Sequence, residues 1–253
     1  MTDSLTIRSA TKRFNGVTAL DSVSARFDPG TVTGVIGPNG AGKTTLFNAV
    51  SGLIRLDSGD VVSGGQTISG LPAWRIAHCG IGRLFQDVRC FEELTVMENV
   101  QVGFRRQPGE HLTKLLLAPW ASRNGEADQR AIALEHLRQF GLDSFANLPA
   151  GALSFGQQKL LCIAALLVAE AHTVLLDEPT AGIDPAMRRR VAGVIRGLAA
   201  AGRTVIVIEH NMSVISDIAD RAYFMIGGRV AAFGPAAEVI QDARVRSTYI
   251  SGR

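Results

Sequence analysis

Residues Gly37 to Thr45 read GPNGAGKTT, and this stretch limits the possible folds more than any other. It satisfies the spacing G-x-x-x-x-G-K-[ST], follows the apolar run TVTGVIG and precedes TTLFNAVSG, which reads as a helix ending near Gly52. Gly37, Gly40 and Gly42, with Pro38, Asn39 and Ala41 between them, let backbone N–H groups point inward at phosphate oxygens without side-chain obstruction. A helix beginning at the glycine loop adds about half a positive charge at its N-terminus. Lys43 can reach the β- and γ-phosphates of a nucleotide, and the Thr44 hydroxyl, next to Thr45, can ligate Mg2+. The alternative is a glycine-rich turn without a ligand, which does not explain the full spacing or the strand–loop–helix context.

Such a loop belongs to an α/β sheet, and the rest of the chain supplies one. HTVLLD at 172–177 and TVIVIEH at 204–210 are continuous apolar runs, as expected of strands buried on both faces. A helix over 185–201 between them makes a β-α-β unit with parallel strands. Residues 5–34 read as short strands with a turn at Asp28-Pro29-Gly30, residues 58–70 as a small hairpin, and YFMIGGRVAAFG as a hairpin around Gly227-Gly228. From 71 to about 170 the pattern is mostly helical. The expected architecture is an α/β core interrupted by a helical lobe over roughly 87–165.

TVLLDEPT at 173–180 ends its strand on two carboxylates, Asp177 and Glu178. Buried carboxylates at a strand's carboxyl end are costly unless a metal or a proton transfer uses them. Adjacent residues leave a strand in different directions, so Asp177 can face Mg2+ while Glu178 faces an attacking water as general base. A polar strand end of no chemical consequence is the other reading.

Composition narrows the class further. The 253 residues carry a formal charge of +3 and no long basic cluster beyond Arg188-Arg189-Arg190, which suits a solvated helix face and gives no reason to expect nucleic acid. Cys79, Cys90 and Cys162 form no C-x-x-C pair, so a reducing compartment fits best. The N-terminal segment lacks the apolar core of a signal peptide, and the apolar run Leu160–Ala169 is about half what a membrane span needs. A soluble protein is expected.

LSFGQQK at 153–159 opens an apolar helix, and the spacing of Ser154 and Gln157 suits a capping box. With Asp177-Glu178, His210 and this segment in order, the chain resembles the ATPase subunit of an ABC transporter over essentially its full length. That resemblance implies a P-loop NTPase core with a mixed sheet (1–86 and 166–253), an N-terminal antiparallel β-subdomain, and an inserted helical subdomain at 87–165 that carries the signature. It implies ATP and Mg2+ as ligands, with Thr44, Gln86 and Asp177 on the metal side, and hydrolysis served by Lys43, Gln86, Glu178 and His210. Phe14 stands where the family puts an aromatic against adenine, although a place in the core is the alternative. His210 stands at the switch position that contacts the γ-phosphate. Leu153, Ser154, Phe155, Gly156 and Gln157 form a signature that reaches the nucleotide of a second ATPase subunit. Phe155 departs from the glycine usual there. Ala181, Gly182, Ile183 and Asp184 form the loop between subunits, and Asp184 followed by Pro185 also reads as a helix start.

LPAWRIAHCGIGRLFQDVRCFEELTVMENV, the insertion around 105–130 and the ending DARVRSTYISGR resemble importers of branched-chain amino acids or of urea and short amides. The resemblance implies two transmembrane permeases, an extracytoplasmic binding protein and a place on the cytoplasmic face of the membrane. An exporter or lipid-extraction ATPase shares the same motifs and stays open as an alternative. A soluble ABC ATPase would carry coiled coils or a second cassette, and a P-loop kinase would not need LSFGQ. Leu112, Leu115, Leu116, Leu117 and Trp120 within the insertion read as packing of the helical lobe.

Overall fold

A computed structural model describes residues 4–88, 90–105 and 119–250. Two compact units emerge: residues 1–86 with 172–253, and residues 87–171.

In the first unit, apolar five-residue runs become wholly buried strands. β3 (Val32–Ile36), β7 (Thr173–Asp177) and β8 (Thr204–Ile208) expose no residue, as β-branched runs covered on both faces must. With β6 (Ile81–Leu84), β9 (Arg221–Ile226) and β10 (Arg229–Pro235) they form a sheet of order β10-β9-β3-β8-β7-β6. All neighbours are parallel except β10, which returns antiparallel to β9 through Gly227-Gly228. The sheet is therefore mixed. A second, antiparallel sheet of order β2-β1-β4-β5 joins β1 (Leu5–Phe14), β2 (Val17–Phe27), β4 (Ser58–Ser63) and β5 (Gln66–Thr67).

Helix α1 (Lys43–Val50) ties the two sheets together. Its Leu46 and Phe47 share one core with Leu5 and Phe27 of the antiparallel sheet and with Leu175, Ile206 and Tyr223 of the mixed sheet. On the opposite face Ile36 and Phe224 pack with Ile215 of α7 (Met212–Ile218), Val239 of α8 (Ala236–Gln241) and Val245 of α9 (Ala243–Ile250). The β7–β8 crossover runs through α6 (Pro185–Ala200), which turns Val191, Ile195 and Leu198 inward. It leaves Arg189 and Arg190 exposed and Arg188 half-buried.

Two features carry no clear sequence signature. The span after residue 71 is not continuously helical. After α2 (Ala73–His78) it places β6, a four-residue strand too short to show a period, which among the described residues pairs with β7 at the edge of the sheet. The C-terminal helices α8 and α9 also had no clear sequence signature, since each is short and Asp242 separates them.

The second unit contains α3 (Val96–Val102), α4 (Pro119–Gln139) and α5 (Phe155–Val168). Val96, Val100, Leu137, Leu160, Leu161 and Ala164 are buried in it. Buried Asn99 accepts the Phe91 N–H and donates to the carbonyls of Phe91, Leu94 and Thr95, which anchors the loop before α3. The apolar cluster expected at Leu112, Leu115, Leu116 and Leu117, together with the Trp120 side chain, lies outside the described residues.

Candidate nucleotide site

The loop at 37–45 leaves the end of β3, the strand between β8 and β9. Two glycines are required by geometry. Gly37 has φ +150° and a Cβ there would stand 2.1 Å from the Met225 carbonyl oxygen. Gly42, the N-cap of α1, has φ +98° and would bring a Cβ to 2.4 Å from the Ala19 oxygen. Any side chain at either place would push the loop open. Lys43 is buried, and its ammonium donates to the carbonyls of Gly37 at 2.7 Å and Pro38 at 2.9 Å. Burial pulls its pKa below the usual lysine value, against the opposing pull of Glu178 and Asp177.

A cavity of about 760 Å³ opens beside this loop, bounded by Val17–Ala19 of β2, Asn39–Thr45, Gln86, Glu178 and His210. Its mix of loop N–H groups, one ammonium and the hydroxyls of Thr18, Thr44 and Thr45 suits a polyphosphate. Thr44 is exposed to it and Thr45 half-buried. Phe14 is half-exposed at the end of β1 with the Lys12 ammonium 5.3 Å from its ring, and it is not among the described residues that bound the cavity.

The two carboxylates diverge as alternation requires. Asp177 is the last residue of β7 and pairs in register with Ile208. It points into the protein, where its Oδ2 accepts from Arg83 Nη2 at 3.0 Å, with both side chains buried. Burial pushes the Asp177 carboxyl up, and the Arg83 guanidinium opposes that rise. Arg83 also donates through Nη1 to Asn48 Oδ1 at 2.7 Å and Ser51 Oγ at 3.2 Å on the α1 side, between the rings of Phe47 and Phe85.

Glu178 follows with φ +49°, a left-handed conformation uncommon for a side chain of this kind, and its N–H donates to the Ile208 carbonyl at 2.9 Å. This turn sends its carboxylate toward the cavity. Gln86 Nε2 donates to Glu178 Oε2 at 3.1 Å, and His210 Nε2 lies 2.8 Å from Oε1. Lys43, Gln86, Glu178 and His210 thus meet around one cavity.

The donor chemistry fits Mg2+ completed by substrate oxygens. Among the described residues no group of three or more His, Cys, Asp or Glu could form an all-protein cage. Thr44 offers the cavity a hydroxyl, whereas Asp177, the carboxylate expected on the metal side, is turned to Arg83 and is not among the described residues that bound the cavity, so a hard cation there would draw mainly on phosphate oxygens.

Arg83 is the site residue that sequence reading missed. Its one signal was a charge inside the run GIGRLF, which must find a partner if buried.

Beyond the residues that bound the cavity, the loop Ala181–Asp184 follows Glu178. Asp184 caps α6, its Oδ1 accepting from Ala186 and Met187 N–H at 2.8 and 3.0 Å, with Pro185 in the first turn. Those bonds hold its carboxyl below the usual range. Ile183 is buried and Gly182 exposed.

In the other unit, Ser154 and Gln157 form a reciprocal capping box at the start of α5. Ser154 Oγ accepts from the Gln157 N–H at 3.4 Å, and Gln157 Oε1 accepts from the Ser154 N–H at 2.9 Å. Leu153 and Gly156 are buried. Phe155 is half-exposed, with the buried Lys159 ammonium 4.9 Å from its ring centre. That stacking across one helical turn gives an aromatic at this position a local purpose.

The model of the ABC transporter family matches residues 20–181. The chain is 34% identical to the high-affinity branched-chain amino acid transport ATP-binding protein BraF of Pseudomonas aeruginosa, over 97% of both chains. It is 33% identical to LivG of Escherichia coli, described in the same words, again over 97% of both. A nucleotide-free ATP-binding cassette from an ABC transporter superposes with a TM-score of 0.84 at 32% identity, over 98% of each chain. A cassette in its ADP conformation gives the same TM-score at 30% identity over the full length of both. By sequence over nearly its whole length, and by fold, the chain belongs to the ABC transporter family.

Proposed function

We propose that this protein is the ATP-hydrolysing subunit of an importer for branched-chain amino acids or related small amides. The observation that carries the proposal is the placement of Glu178 beside the phosphate loop, with Gln86 and His210 on its two oxygens. The relatives named for branched-chain amino acid transport support the choice of cargo.

Lys43 and the loop N–H groups hold the β- and γ-phosphates, and Phe14 or Val17–Ala19 offer the surface for the base. Thr44 and, once freed from Arg83, Asp177 would hold Mg2+ with Gln86 near it, and the ion would supply positive charge against the phosphates. Glu178 takes the proton from water as its oxygen bonds to the γ-phosphorus, the bond to the β–γ bridging oxygen breaks, and ADP and phosphate result. His210 turns a ring N–H toward the γ-phosphate.

The reading of residues 87–171 as the helical subdomain belongs to this proposal, and so does the role of LSFGQ. In a pair of ATPase subunits, Ser154 and the start of α5 complete the nucleotide site of the partner, and Ala181–Asp184 lie along the seam. Two permeases, an extracytoplasmic binding protein and attachment to the cytoplasmic face of the membrane follow from an importer. Among the described residues no helix is long and apolar enough to cross a membrane.

The test is to express the tagged chain with the permease, second-ATPase and binding-protein genes beside it. Purification of one complex whose ATPase is stimulated by a liganded branched-chain binding protein would support the reading. Purification without membrane partners, or stimulation only by a lipid, would replace it with the exporter or lipid-extraction class.

A further inference from the structure

Glu209 is 3% exposed, and the reaction proposed above gives it no task. It makes no ion pair among the described residues. Its Oε1 instead accepts twice from one residue, the Thr180 N–H at 2.9 Å and the Thr180 hydroxyl at 2.6 Å, and Thr180 is itself buried. A buried carboxyl group is costly unless its oxygens are hydrogen-bonded, and the two Thr180 bonds offset that cost.

Its position gives the bond meaning. The last backbone bond between the ends of β7 and β8 runs from the Glu178 N–H to Ile208 O. Beyond it two crossed side-chain contacts join the chains: His210 reaches back to Glu178, and Glu209 reaches to Thr180, among other contacts of the described residues. In the proposed reaction Glu178 turns to water and His210 to phosphate, so their mutual contact cannot hold the loops together during turnover. The Glu209–Thr180 contact involves neither reacting group. Thr180 directly precedes Ala181–Asp184, and Glu209 directly precedes His210.

We propose that Glu209 is a positioning residue that clamps the loop 181–184 to the end of β8, so that this loop and His210 keep a set geometry while Glu178 and His210 act on substrate. The proposal rests on the ATPase reading, and its test has one arm independent of that reading.

The full-length chain is compared with Glu209→Ala, Glu209→Gln and Thr180→Val. Glutamine keeps an oxygen that can accept both Thr180 bonds. ATP affinity, measured by equilibrium binding, should stay within about twofold in all three, because the phosphate loop is untouched. The kcat of Glu209→Ala should fall on the order of tenfold or more, that of Thr180→Val about threefold, and Glu209→Gln should regain most of the rate. A kcat within about twofold of wild type for Glu209→Ala overturns the proposal, as does a fall in ATP affinity matching the fall in rate. Where Glu209→Ala fails to fold, Thr180→Val decides by the same criterion.

The second arm is amide hydrogen exchange without nucleotide. Residues 181–184 and 210–211 should exchange about tenfold faster in Glu209→Ala, or in Thr180→Val if that variant alone folds, with β1 and β2 unchanged. Equal exchange overturns the clamp. A wild-type chain that hydrolyses no ATP would refute the ATPase reading, while exchange would still judge the clamp.

Discussion

His210 Nε2 stands 2.8 Å from Glu178 Oε1, close enough for the ring to hold the carboxylate in the cavity before any substrate is present. Glutamine has nearly the same shape but no basic oxygen at neutral pH. Glu178→Gln should therefore keep ATP affinity while turnover falls about 10²- to 10⁴-fold, the usual contribution of a general base. It should also leave an ATP-bound pair that outlives that of wild type. Steady-state ATPase and size-exclusion runs with ATP check both, and normal hydrolysis would remove Glu178 from the base role.

Lys43 is the buried cation of the loop. A hydrogen bond to a charged group is worth about 1.5–3 kcal/mol, so Lys43→Ala should weaken ATP binding about 10- to 100-fold. Equilibrium titration with a fluorescent nucleotide reads this directly. Unchanged affinity would count against the phosphate-loop assignment.

Ser154 is engaged in its capping box, yet a helix start is also an anion site. Mixing a Ser154→Arg subunit with a Lys43→Ala subunit separates the two roles. Each variant alone should be inactive, and the mixture should form one intact composite site per mixed dimer, read as recovered ATP-dependent association. If Ser154 is only a local cap, mixing restores nothing.

Asp184 gives a pH signature. Its carboxyl is held below the ordinary value near 3.8 by the Met187 and Ala186 N–H groups. A lowered folded pKa means a stabilising contribution that is complete above about pH 4 and lost as pH falls through the folded value. At pH 7, Asp184→Ala should melt below wild type. The gap should stay constant down to about pH 4 and close only in more acid buffer. Thermal melts across pH 7 to 3 test the sign, and a gap that widens with acid would contradict it.

Much of the fold was legible because apolar runs and glycine punctuation carry it. TVTGV, TVLLD and TVIVI became strands buried throughout, and Ser154 and Asp184 capped the helices their spacing predicts. β6 was missed because four residues between a helix and a loop show no period, and its strand character comes from pairing with β7. Arg83 was missed for the same reason, since its role depends on Asp177, Asn48 and Ser51, each remote in sequence. Glu209 read as the tail of an apolar strand, and only its approach to Thr180 distinguishes it from an ordinary strand end.

The Lys43 ammonium, held by the Gly37 and Pro38 carbonyls, has one more consequence. Its dehydration is completed when the chain folds, so an arriving anion competes with the loop's own oxygens instead of with bulk water. A single small anion that displaces two carbonyls gains little from the trade. A phosphate chain that also takes up the loop N–H groups gains from both sides at once. The loop thus acts as its own competitor, and that internal contest favours polyphosphates over the chloride and single phosphates of the surrounding solution.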